Sequence, residues 1–175
     1  MDTKQQAQPN AGRTPEMLVR PAGPEDAEAL AWLAQELHGY YGLPTRYQRS
    51  FMTQAIAAGA FAENSGLEIL LAESGDTVLG FLAFSEIFAL ASCQKSIFIQ
   101  DLFVTRKTRG SGVGYGLMRA LFERARERGI GQIDWTADPW NDDARAFYDR
   151  LGPLLSSEKI LYRLNGDRLS LLLKS

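Results

Sequence analysis

Residues 97–117 constrain this chain more tightly than any other stretch, because the hydrophobic period changes there across a cluster of glycines. A short run rich in β-branched and aromatic residues, Ile97-Phe98-Ile99-Gln100-Asp101-Leu102-Phe103-Val104, leads through a short polar link into Arg109-Gly110-Ser111-Gly112-Val113-Gly114-Tyr115-Gly116-Leu117. Such a run reads as a strand, whereas Val113, Leu117, Leu121 and Ala125 step by four as on the buried stripe of a helix, and Gly129 stands where a C-terminal cap belongs. The prediction is strand, glycine-rich turn, helix. Glycines admit positive φ and let a ligand approach the backbone, and the first amides of the helix are unpaired donors at the positive end of its dipole. Such a turn suits a phosphate, and Arg109 adds a guanidinium fork for its oxygens. The register excludes two nucleotide motifs: Tyr115-Gly116 occupies the place of the Lys-Ser/Thr of a Walker A loop, and Leu117 stands where a dinucleotide fingerprint needs its third glycine.

The flanking segments extend the pattern. Residues 1–15 are polar, with little to bury, and are expected to form a disordered tail before a single domain over residues 16–175. A strand is predicted at residues 17–20, a helix opening at Pro24-Glu25-Asp26 and burying Ala27, Leu30, Leu33, Ala34 and Leu37, and a second helix over residues 47–60. Three strands then follow, over residues 67–72, 78–88 and 96–105. After the glycine-turn helix come a strand at 132–137, a helix at 142–151 and a last strand at 154–164. The order β-α-α-β-β-β-α-β-α-β implies an α/β (α+β) domain with a mixed central sheet and flanking helices.

Composition narrows the function classes. With a formal net charge of −2 and charges of both signs interspersed, the chain has no basic patch for nucleic acid or an anionic membrane. One cysteine, Cys93, and one histidine, His38, leave no Cys/His metal site, so no metal is expected. Neither a leader nor a spanning segment is legible, which places the protein in the cytoplasm. The apolar end, residues 169–173, offers a surface for the domain or for a second copy, and a homodimer is expected.

The spacing Arg109-x-x-Gly112-x-Gly114 resembles the acyl-CoA pyrophosphate signature of the GNAT acetyltransferases. Within the same element order, FIQDLFV, TRGSGVGYGLM, WTADPWNDDARAFYDRLG and SSEKILYRL resemble the spermidine/spermine and thialysine branch of that superfamily. The resemblance implies the GNAT fold and acetyl-CoA as co-substrate. It implies that the backbone of Leu102, Phe103 and Val104 holds the acetyl and pantetheine portions, that Arg109, Gly110, Ser111, Gly112, Val113, Gly114 and Tyr115 cradle the pyrophosphate, that Asn141 contacts the cofactor arm, and that Tyr148 is the general acid. Judged without the family, Asn141 is an N-cap before Asp142 and Asp143, and Tyr148, two turns further on, reads rather as a core aromatic on the apolar face of Ala144, Phe147 and Leu151.

Thioester aminolysis needs an acceptor for the proton of the amine, which in general titrates near ~10.4, and a donor for the departing thiolate, a task within reach of a phenol near ~10. Backbone amides over residues 100–104 are candidates for the oxyanion. Where related polyamine enzymes carry a glutamate, this chain has Gln100, which cannot accept a proton. Strict alternation would turn Asp101 to the opposite face, leaving a water chain or Glu86 on the preceding strand as candidate bases. Gln100 is either a satisfied core amide or, with Asp101 and Tyr40, a contact to substrate. Tyr40, Tyr41, Phe84, Phe88 and Trp140 are candidate walls of an acceptor pocket. His38 is read as a partner of its helix C-terminus, and Cys93 as structural. Tyr41 and Lys159 stand where acids would be needed to hold a polyamine. The acceptor expected is therefore a small-molecule amine or amino acid. A peptide N-terminus, a protein lysine, an aminoglycoside, or a non-catalytic acyl-CoA sensor are the alternatives.

Overall fold

The computed structural model describes residues 16–44, 47–152, 154–156 and 160–164, so the expected tail, the apolar end and Lys159 lie outside the described residues. The chain divides into two compact units, Met1–Thr136 and Ala137–Ser175. In the first, β1 (Leu18–Pro21) leads through a 3-10 turn (Pro24–Asp26) into α1 (Ala27–Tyr40) and α2 (Arg49–Ala55). β2 (Glu68–Ser74), β3 (Thr77–Ala89), β4 (Gln94–Val104), α3 (Val113–Glu127) and β5 (Ile133–Asp134) follow. The second unit contributes α4 (Asp142–Asp149).

The five strands lie in sequence order in one mixed sheet, antiparallel from β1 to β4 and parallel between β4 and β5. Helices cover it on both faces, as the amphipathic patterns require. On one face Leu30 and Leu33 of α1 pack with Ile69, Leu71, Phe81, Ala83 and Phe103. On the other, α3 buries Val113, Leu117, Met118, Leu121 and Ala125, which is the expected stripe. Gly116 of α3 sits so close to β1 that an added Cβ would meet the Met17 side chain. Arg20 pins β1 in place with fork contacts to Asp26, at 2.7 Å, and to Glu73, at 2.9 Å.

Three elements differ from expectation. The helix expected over residues 47–60 widens after Ala55 into a π-helical turn, Ile56–Ala60. The strand expected over 132–137 pairs only at Ile133 and Asp134. The last strand, expected over 154–164, is absent among the described residues there: Leu155, Ile160, Leu161 and Tyr162 are exposed, and no described strand pairs with them.

Candidate active site

The site begins at an irregularity in β4. Asp101 lies opposite Ala83 and Ile99 opposite Phe84, so Gln100 is an extra residue with no partner on β3. This β-bulge changes which face each side chain takes. Before it, Ile97 and Ile99 point to the α3 face; beyond it, Leu102 and Val104 do so, while Asp101 joins Phe103 on the α1 face. The amide of Gln100 donates to Ser85 Oγ at 3.0 Å. Ser85 is on the α1 face, so Gln100 and Asp101 occupy the same side of the sheet. Strict alternation, which separates them, fails here because a bulge inserts one residue into the period.

β4 also loses a neighbour at this point. Its pairing with β5 runs only through Ile97–Ile133 and Phe98–Asp134. No described strand continues along that edge, so half of the backbone groups from Ile99 onward face away from β3 without a ladder. These residues include Leu102, Phe103 and Val104.

The free edge runs directly into the glycine turn. Thr105, buried, anchors the link: its amide donates to Leu79 O at 2.9 Å and its hydroxyl bonds that of Thr108 at 2.8 Å. Ser111 Oγ donates to Thr108 O at 2.6 Å. Gly110 and Gly112 take φ of +80° and +90°, conformations that L side chains rarely adopt, and the space where a Cβ would project from either is open. Gly112 caps α3 with no side-chain hydrogen bond. The turn therefore presents the first amides of a fifteen-residue helix on a surface kept clear of side chains. Val113 is 2% exposed, whereas Tyr115 is exposed.

Arg109 belongs to both sides of the site. Its Nε donates to Val104 O at 3.2 Å, and its guanidinium lies 4.4 Å from the ring centroid of Tyr40 and 5.8 Å from that of Phe103. A residue expected at the phosphate and one expected at the acceptor thus form a single cation–π contact. Tyr41 packs edge-on against Tyr40 at 5.4 Å.

Two candidates on β3 are corrected. Phe84 is fully buried on the α3 face and belongs to the core, not to an acceptor pocket. Glu86 also points to the α3 face, opposite Ile97, where Arg128, the C-cap of α3, and Lys95 of β4 hold it in salt bridges at 2.6 and 3.2 Å. The Arg128 hydrogen bond, then that of Lys95, keeps its carboxyl below the ordinary glutamate range, so it is a poor proton acceptor as well as a misplaced one. Arg128 also pairs with Glu68 and thus ties α3 to two strands. A cavity of about 440 Å³ between residues 60–68 and Glu86 includes none of the other predicted residues.

Asp101 differs from Glu86 in every respect. It is solvent-accessible, yet the surrounding protein desolvates its carboxyl enough to raise its pKa, with the positive charge of His38 opposing that rise. The single histidine of the chain, read from the sequence as a helix-end residue, is thereby brought into electrostatic reach of β4; local pattern carried no signal for this.

In the second unit, Asn141 is the N-cap expected, its Oδ1 accepting from Ala144 N at 3.2 Å, and it is 7% exposed. Tyr148 lies on α4, half-buried, with its ring 5.3 Å from that of Phe147.

A two-faced mixed sheet, a bulged and half-paired strand, and a glycine turn capping a helix define an acyl-CoA-type transferase architecture. The chain matches the Acetyltransferase (GNAT) family over residues 27–152, and it belongs to that family. It is 27% identical over 157 residues to a D-amino-acid N-acetyltransferase of Saccharomyces cerevisiae, covering 86% of this chain and 91% of the relative. It is 26% identical over 144 residues to the thialysine N-epsilon-acetyltransferase of Sus scrofa, covering 78% and 83%. An integron cassette protein from the mobile metagenome of V. cholerae superimposes with a TM-score of 0.82 at 29% identity, over 94% of this chain and all of the other. The protein is therefore an acetyltransferase of the GNAT type.

Proposed function

We propose that the protein transfers the acetyl group of acetyl-CoA directly to the primary amine of a small molecule, an amino acid or close analogue, in a ternary complex. The observation that carries this reading is the continuity of the free β4 edge with the open glycine turn: a ligand with amides at one end and a pyrophosphate at the other matches that sequence of donors. In this reading the backbone of Leu102, Phe103 and Val104 bonds the pantetheine amides as an added strand does. The amides of residues 110–115, together with Arg109, take the pyrophosphate. Asn141 contacts the cofactor arm, and Tyr148 returns a proton to the CoA thiolate; both assignments rest on the motif they share.

Gln100, Asp101 and Tyr40 line the acceptor side. A polyamine needs carboxylates for at least two ammonium groups, each contact being worth roughly 1.5–3 kcal/mol. Gln100 and Tyr41 supply none. The relatives named for D-amino acids and thialysine support an acceptor with few positive charges. An acceptor panel followed by release of CoA thiol tests this: D- and L-amino acids and thialysine should exceed spermidine and aminoglycosides in kcat/KM, and the reverse order would overturn the acceptor class. Tyr148→Phe should lower kcat by roughly 10²-fold with acetyl-CoA affinity retained. A parental rate would reduce the phenol to packing.

We also propose a homodimer, because Leu155, Ile160, Leu161 and Tyr162 expose an apolar run that a second copy would cover. A sedimentation mass equal to the 19.4 kDa of one chain would refute it. A cytoplasmic setting is part of the same proposal, since a single cysteine, Cys93, leaves no intramolecular disulfide framework.

A further inference from the structure

The chain lacks the carboxylate that would deprotonate an amine at the Gln100 position, and Glu86 is turned away. The α1 face supplies another arrangement. Leu37, near the end of α1, packs on the cluster that contains Phe81 and Phe103, and Tyr40 lies under Arg109, which in turn sits over Phe103. The last turn of α1 therefore covers the half of β4 beyond the bulge. His38 follows Leu37 in this turn, half-buried, and its Nδ1 is a buried atom with no hydrogen-bond partner among the described residues. Across from it, Asp101 occupies the α1 face only because the bulge places it there.

We propose that His38 and Asp101 form the proton-accepting pair for the acceptor ammonium, in place of the carboxylate that Gln100 does not provide. This rests on the acetyl transfer proposed above. The ammonium donates a hydrogen bond to the Asp101 carboxylate and loses one proton through it to the imidazole of His38, which passes it to water. The nitrogen lone pair then forms the C–N bond at the thioester carbonyl. Collapse of the tetrahedral adduct breaks the C–S bond, and the second nitrogen proton ends on the CoA sulfur. The sum is one ammonium and one acetyl-CoA giving one amide, one CoA thiol and one proton to solvent. An imidazole suits this relay because it can take up and release a proton near neutrality.

The ionisable groups on the elements around this position are Glu36, His38 and Tyr40 of α1, Arg49 of α2, and Arg109 of the turn; of these, His38 is the one that shifts the titration of Asp101. Glu36 carries a carboxylate oxygen, Oε2, that is buried without a partner, and Arg49 is bonded to Gln35.

Two variants and two readouts test the pair. With whichever of D-alanine, L-ornithine and thialysine is turned over fastest, Asp101→Asn should lower kcat/KM at neutral pH by roughly 10²-fold and His38→Gln by about tenfold. The calorimetric Kd for acetyl-CoA should stay within about twofold, since neither group touches the cofactor in this scheme. Both deficits should shrink as the pH rises towards the amine's own range near ~10.4, where the free base needs no acceptor. A parental rate in either variant, or a deficit that is the same at every pH, would overturn the proposal. The second readout needs no acceptor substrate: because the chain has one histidine, its imidazole nitrogens can be titrated by NMR without ambiguity. Asp101→Asn should move the imidazole nitrogen resonances of His38, and unchanged resonances would show that the two groups do not form a pair. Loss of acetyl-CoA binding by the parent protein would instead refute the transferase reading and leave the NMR result standing.

Discussion

The two halves of β4 share one strand and have opposite uses. At Ile97 and Phe98 the strand is paired on both sides, Ile97 is fully buried, and side chains alternate between the faces as in an ordinary core strand. From Gln100 onward no described strand lies along one edge, and a charged side chain faces the helix layer that carries His38. A single inserted residue and the early end of β5 separate the two regimes. A strand is rigid because its ladder is complete; it can receive a ligand's amides only where the ladder is left open, and the same element supplies both by changing its neighbours along its length.

The sharpest way to break this comparison is to delete Gln100. Alternation in the shortened strand keeps Ile97, Ile99, Leu102 and Val104 on the α3 face, and Asp101 and Phe103 on the α1 face, so the core should survive. The bend and twist of the bulge would be lost, and misplacement by about 1 Å is enough to cost roughly 10²-fold in rate. Acetyl transfer should therefore fall by at least that factor while circular dichroism shows a folded protein; an active deletion variant would show that the bulge is incidental.

The converse experiment strikes the first half. Ile97→Ala empties a fully buried position and should destabilise the protein by about 2–5 kcal/mol in urea denaturation, with kcat little changed at a temperature where the variant is folded. A fall in kcat without a fall in stability would mean that both halves shape the site.

Gly112→Val probes the turn at the end of the open edge. Its φ of +90° would strain a β-branched residue by roughly 1–2 kcal/mol, and the new side chain would enter the space kept clear above α3. Acetyl-CoA affinity should drop at least about tenfold, ~1.4 kcal/mol, by calorimetry. An unchanged Kd would remove the turn from the cofactor site.

The smallest effect is expected for Glu86→Gln, on the structural side of the sheet. Because Arg128 and Lys95 depress its folded pKa, Glu86 contributes stability above the unfolded value near ~4.3, and this is lost as pH falls through the folded value. The variant should be less stable than the parent at neutral pH by no more than ~1 kcal/mol, the two should converge in acid, and kcat should not change. A large loss of activity would return Glu86 to the list of bases.

What could be read from the sequence was what neighbouring residues settle among themselves. The α3 stripe, the Asn141 cap, the positive-φ glycines and the strand–turn–helix order all follow from short-range sterics and periodicity, and they carried the family and the position of the turn. The strand expected over residues 154–164 went the other way: the residues described there form none, because apolar content makes a strand only where another edge receives it. The decisive features of the acceptor side likewise depended on contacts between distant segments. The bulge is defined by the register of β3 against β4; Glu86 was removed from the chemistry by Arg128, a residue of another element; Phe84 was a wall only until α3 covered it. His38 acquired a role only when the end of α1 was laid across β4. Local chemistry specified which groups the chain has. Only the tertiary structure decided which face each occupies and what stands opposite, because hydrogen-bond register and desolvation belong to pairs of segments and are carried by neither alone.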